Sequence, residues 1–130
     1  MNAEDVNGYI GLPWVDGATG PDSYDCWGLL RWIQVNHFSR SLPDLPTLPE
    51  ETRNLYRGQI ESGAWTVIDR PEHGSGVLLR GGDRPHVGVY LNIDGGGVLH
   101  AQERVGVIFT AKQQLRIMGY PRASWYRFSV

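Results

Sequence analysis

After Ala64 the chain breaks into short apolar-rich runs separated by glycine, proline and aspartate, and this pattern most limits what it can fold into. Strands are expected over 65–68, 76–80, 86–92, 97–103, 105–110 and 125–130. The clearest alternation is Val87, Val89 and Leu91 against Gly88 and Tyr90. Before Ala64 the period is helical. Cys26, Leu29, Leu30, Ile33 and His37 recur at three-to-four spacing, which predicts a helix from Cys26 to about Phe38. Asp22, Ser23 and Asp25 stand ready to cap it. A second helix is expected from Pro49 to about Ser62, with a proline-stiffened connector over 41–49. Residues 8–25, dense in Gly, Pro and Asp, read as loop. Helices first and an antiparallel sheet second give an α+β layout. At 130 residues the chain is the size of a single domain, 1–130.

Composition narrows the function. Hydrophobic residues at 41% and charged residues at 20% support a core and exclude wholesale disorder. Twelve basic and fourteen acidic side chains leave a net charge of -2 with no basic run, so neither nucleic acid nor an anionic membrane is an expected partner. No window approaches the roughly 18 apolar residues of a membrane span, and membrane insertion is not expected. The acidic start Met1-Asn-Ala-Glu-Asp5, without an apolar stretch behind it, does not read as a secretory signal.

Cys26 is the single cysteine, so it has no intramolecular disulfide partner. A lone cysteine is ordinarily a small buried hydrophobe. Cys26, however, falls in the first turn of a capped helix, where unpaired N–H groups and the helix dipole favour a thiolate. A thiolate nucleophile needs a base, and His86 and His100 are the candidates. They lie on runs joined by Ile93-Asp-Gly-Gly-Gly97, a hairpin signal. Their even separation projects both imidazoles from one face. They would stand directly opposite each other in a hairpin centred on Ile93, pairing Tyr90 with Gly96, whereas a tighter turn at Asp94-Gly95 would pull them apart. Paired, one histidine can orient the other. Zinc is the competing use, but 59 residues between Cys26 and His86 and 13 between His86 and His100 match no compact structural site. No metal or cofactor is expected. His37 and His73 read as ordinary surface residues.

Asp25-Cys-Trp-Gly-Leu29, Pro85-His-Val-Gly-Val-Tyr-Leu91 and Val98-Leu-His-Ala101, in that order, resemble the NlpC family of papain-like cell-wall cysteine peptidases. Leu12-Pro-Trp-Val-Asp-Gly17 and Gly74-Ser-Gly-Val-Leu-Leu79 fit the segments before the family's nucleophile and base, so the likeness spans about residues 8–105. It implies a papain-like α+β fold with N-terminal helices packed on an antiparallel sheet. It also implies Cys26 as nucleophile, His86 as general base and His100 as the group orienting it, acting on stem or cross-link peptides of peptidoglycan. Many members carry tyrosine where Trp14 stands and serine where Trp27 stands; of the residues that hold a stem peptide's free amine, Asp25 is kept. Ser75 replaces the usual aspartate of the strand before the base. Trp14, Asp25 and Trp27, which flank the nucleophile, are the expected substrate-binding residues, and Asp83 and Arg84 are candidates to touch substrate.

The Cys-Trp-Gly-Leu form and the closing Met118-Gly-Tyr-Pro-Arg-Ala-Ser-Trp-Tyr-Arg127 look like the subgroup found among phage and prophage tail proteins. That resemblance implies an enzyme made in the bacterial cytoplasm, carried in the virion tail and partnered by tail tip or hub proteins. Two further readings share the fold. One is a structural tail-hub subunit using Trp14, Trp27, Trp32, Trp65 and Trp125 as contact surfaces. The other is an acyl hydrolase or transferase acting on other amides or lipids.

Overall fold

The computed structural model describes residues 1–42, 54, 57–81 and 86–128. The acidic start is ordered by its own side chains. Asn2 accepts from the Asp5 N–H while the Asp5 carboxylate accepts from the Asn2 N–H, both at 2.9 Å, and this reciprocal cap opens the short helix α1 (Ala3–Asn7). The long helix α2 (Cys26–His37) begins at the expected residue. Its buried stripe is Trp27, Leu29, Leu30, Ile33 and Gln34, and it ends before Ser39 turns to a positive φ of 54°. Of the second expected helix, 57–61 is helical, with Ser62 N–H closing on the Gly58 carbonyl; its start and most of the proline connector lie outside the described residues.

Six strands follow: β1 (Trp65–Ile68), β2 (Gly76–Arg80), β3 (His86–Leu91), β4 (Gly97–Gln102), β5 (Gly106–Ala111) and β6 (Arg122–Phe128). They form one antiparallel sheet in the order β1-β6-β2-β3-β4-β5. β6 begins three residues earlier than the sequence pattern suggests, directly after Pro121, and enters the sheet between β1 and β2. A one-turn 3-10 segment (Lys112–Gln114) and the turns after it carry the chain from β5 to β6.

The alternation in β3 sorts the core. Val87, Val89 and Leu91, with Leu99, Ala101 and Val107, join Leu29, Leu30 and Ile33 of α2 in one cluster. On the other face Val77, Leu79 and Val98 pack with Leu115, Tyr120 and Trp125. The middle of the sheet is therefore covered on both sides. A buried Val or Leu contributes about 1.5–3 kcal/mol, so this packing holds a 12-residue helix that would be marginal alone.

One buried polar group fixes the far end of α2. Gln34, fully buried, donates from Nε2 to the Gly74 carbonyl at 2.8 Å, and Arg40 donates from one Nη1 to both Gln34 Oε1 and Gly74 O at 2.9 Å. This ties the end of α2 to the turn that launches β2. Replacing Gln34 with Leu strips a buried carbonyl of a donor, and we expect a loss of about 1–3 kcal/mol in chemical denaturation at an unchanged m-value. Unchanged stability would contradict the role given to this tie.

Candidate active site

The segment before α2 is a folded strap. Gly11 N–H donates to the Val107 carbonyl at 3.0 Å and Val107 N–H to the Leu12 carbonyl at 2.9 Å, which stitches the strap to β5. Trp14 and Tyr24 form a bridge, with Tyr24 N–H on the Pro13 carbonyl and Val15 N–H on the Tyr24 carbonyl, both at 3.1 Å. Asp25 N–H then reaches the Ala18 carbonyl at 2.9 Å. The glycine of Cys-Trp-Gly-Leu has its reason here: a Cβ on Gly28 would run into that Ala18 carbonyl. The strap thus lies against the first turn of α2 because Gly28 has no side chain.

Cys26 heads the helix, half-buried, behind an Asp25 N-cap that accepts from Gly28 N–H at 2.6 Å. Burial, with the nearby Asp25 charge adding to it, pushes its thiol up to about 11, while the backbone N–H groups of Val87, Trp27 and Cys26 near the sulfur pull the other way. The Val87 contact locates the site: the sulfur of Cys26 lies at the start of β3, one residue from His86.

His86 and His100 meet. His86 Nε2 and His100 Nδ1 are 2.7 Å apart, with the rings 4.9 Å between centroids and close to perpendicular. The geometry corrects the expected pairing. The β3–β4 register joins Tyr90 to Val98 rather than to Gly96, because Asp94, Gly95 and Gly96 all take positive φ and the turn centres on Asp94. Carried one step beyond Val89↔Leu99, this register sets His100 opposite Gly88, and His86 reaches it diagonally on the same face. Gly88 supplies the room, since a Cβ there would stand 3.0 Å from the His100 Cβ and 2.6 Å from Val98.

Two partners were not legible in the sequence. His100, fully buried, places Nε2 2.9 Å from Thr110 Oγ1 on β5. Tyr120 lies over His86, rings stacked at 5.2 Å and 14°, and donates its hydroxyl to Gln102 Oε1 at 2.7 Å. Burial holds His86 down to about 3, helped by the neighbouring His100, and holds His100 down to about 4. Both rings are therefore neutral near pH 7, and Cys26 is held as a thiol. Among the described residues no group of three or more His, Cys, Asp or Glu is placed to hold a metal ion.

The residues flanking Cys26 separate. Trp14 sits half-buried in the strap, beside the chain that leads into Cys26. Asp25 is engaged as the helix cap, and Gly17 N–H also bonds its carboxylate. Trp27 is not a cleft wall: it is 6% exposed and stacks on Trp65 at 5.5 Å, because one step along a helix turns its side chain about 100° from Cys26 and into the core. Ser75 accepts from Glu72 N–H at 2.8 Å and so closes the turn before β2. His37 and His73 are pins: His37 pairs with the Tyr9 hydroxyl at 2.8 Å, and His73 receives Asn92 N–H at 2.9 Å. Asp83 and Arg84 lie outside the described residues.

Comparison with known proteins defines the class. Residues 11–120 match the model of the NlpC/P60 family, and the chain belongs to that family. Among solved structures, the NlpC/p60 domain of the peptidoglycan hydrolase SagA superimposes with a TM-score of 0.59 at 21% identity, over 94% of this chain and 92% of that one. NlpC1 from Trichomonas vaginalis superimposes with a TM-score of 0.64 at 21% identity, over 95% of this chain but 41% of that one. At this identity the likeness establishes a shared fold, the papain-like α+β arrangement the motifs implied. No curated protein sequence matches the chain.

The neutral histidine pair gives stability a pH dependence of known sign. The unfolded chain binds protons at both imidazoles near pH 6.5, while the folded chain does so only toward 4 and 3. Their contribution is full above about pH 6.5 and declines on acidification, by at most about 1.4 kcal/mol per pH unit for each ring. Cys26 acts in the opposite window, costing stability as pH rises from 9 toward 11. Thermal melts from pH 4 to 8 should show the acid decline in the wild type and a shallower one in His86→Gln. Equal slopes would contradict a neutral histidine pair.

Proposed function

We propose that this chain is a cysteine endopeptidase that hydrolyses amide bonds in the stem or cross-link peptides of peptidoglycan through an acyl-enzyme on Cys26. The observation that carries the reading is the 2.7 Å contact between His86 and His100, formed where Val87 N–H meets the Cys26 sulfur. A histidine pair, His100 buried and His86 half-buried, near the chain's single thiol at the head of a capped helix, is an arrangement for nucleophilic attack. Membership of the NlpC/P60 family and the likeness to a domain of a peptidoglycan hydrolase support the substrate class.

His86 Nε2 is taken by His100, so Nδ1 is the nitrogen left to receive the thiol proton. With a thiol held up and an imidazole held down, proton transfer accompanies attack on the carbonyl rather than preceding it. The imidazolium then formed is stabilised by the His100 Nδ1 lone pair, which accepts from His86 Nε2–H. The Cys26 N–H at the helix head stabilises the oxyanion. Collapse of the tetrahedral adduct sends the proton from His86 to the leaving amine, and water attacking the thioester, deprotonated by His86, frees the acyl product and the thiol. Trp14 and Asp25 border the substrate's approach, with Asp25 also holding the helix that presents the sulfur.

In the same reading the enzyme is a phage or prophage tail tip component, carried in the virion and aiding penetration of the cell wall. The Cys-Trp-Gly-Leu motif and residues 118–127 support this setting. Of the five tryptophans named for a structural hub surface, Trp27 and Trp65 are buried in the core and Trp14, Trp32 and Trp125 are half-buried.

Purified wild type incubated with peptidoglycan and defined stem peptides should release new termini detectable by mass spectrometry. Cys26→Ala should reduce release by roughly 10⁴-fold or more, to background. Release by both proteins at similar rates would overturn the assignment of Cys26.

A further inference from the structure

The peptidase reading uses Cys26, His86 and His100, and leaves unexplained why the outer nitrogen of a fully buried histidine ends on a threonine. His86, His100 and Thr110 lie on adjacent strands β3, β4 and β5 and on one face of the sheet. The register pairs Thr110 with Val98, so Thr110 is as diagonal to His100 as His100 is to His86. Three side chains therefore form one hydrogen-bonded line across three strands, 2.7 Å and 2.9 Å at its two joints.

A neutral imidazole carries one proton, so the direction of this line is set at its ends. For His86 to take a proton on Nδ1, its own proton must sit on Nε2 and point at His100. His100 must then have a bare Nδ1 and its proton on Nε2. That proton requires an acceptor in a site with no water-accessible surface, and Thr110 Oγ1 is the atom 2.9 Å away. The reverse tautomer of His100 would present Nδ1–H to His86 and leave His86 with a proton on the nitrogen that must be empty.

We infer that Thr110 is a positioning residue of the catalytic line: by accepting from His100 Nε2–H it fixes the His100 tautomer that lets His86 act as base. The inference rests on the peptidase reading for its consequence in turnover, but the tautomer itself can be observed without any substrate.

The test is imidazole ¹⁵N NMR on histidine-labelled protein near pH 7, with steady-state kinetics on the substrate that the wild type cleaves. In the wild type, His100 should show a pyrrole-type Nε2 and a pyridine-type Nδ1. Thr110→Val, nearly isosteric but without the acceptor, should lose that pattern and lower kcat by roughly 10- to 100-fold with little change in KM. Thr110→Ser restores the acceptor and should recover the tautomer and most of kcat, which a purely packing role for the threonine methyl would not do. A His100 protonated on Nδ1 in the wild type, or an unchanged pattern and kcat in Thr110→Val, overturns the proposal. Absence of turnover in the wild type with the expected tautomer present would instead count against the peptidase reading alone.

Discussion

The contact on which this molecule depends is the packing of the first turns of α2 against β3. Leu29, Leu30 and Ile33 bury against Val87, Val89 and Leu91, and the same approach brings the Cys26 sulfur to the Val87 N–H. Core and site are thus one interface. The desolvation that stabilises the fold also raises the thiol and lowers both imidazoles, so neither Cys26 nor the two histidines rest in their charged forms. In the proposed reaction charge would develop only as the substrate is attacked, at the head of α2 and on the His86–His100 pair.

Around that contact the sheet acts as a ruler. Side chains two residues out of register on neighbouring strands still reach each other, and a twisted sheet brings one such diagonal close. His86 to His100 and His100 to Thr110 both use this diagonal, while Gly88, opposite His100, keeps the space open. Tyr120, delivered by the turns between β5 and β6, closes the line from above by stacking on His86. The entry of β6 between β1 and β2 is therefore more than a topological detail. It draws the chain back over the face that carries the histidines and sets Tyr120 there on its way.

Much of this is legible in the sequence itself. The helix period from Cys26 and the alternation of β3 mark the two elements that meet, and the even spacing of His86 and His100 places both rings on one face. What eluded the sequence has specific causes. The two-residue shift in register comes from three consecutive positive φ angles at Asp94, Gly95 and Gly96, a backbone choice that composition permits without dictating. Thr110 and Tyr120 carry no local signal, being a threonine on a strand and a tyrosine after a glycine; only the sheet order makes them neighbours of the histidines. Trp27 could have been read correctly from helix geometry alone, since adjacent helical side chains diverge by about 100° and cannot both line one cleft.

The central claim is that His86 makes Cys26 a nucleophile. A stem-peptide chloromethyl ketone tests it directly, because Cys26 is the single cysteine and its alkylation reads as one mass shift mapped to one residue. The account predicts a single adduct on Cys26 in the wild type and a much slower one in His86→Ala that remains folded. Alkylation of Cys26 at the same rate in both proteins would contradict it.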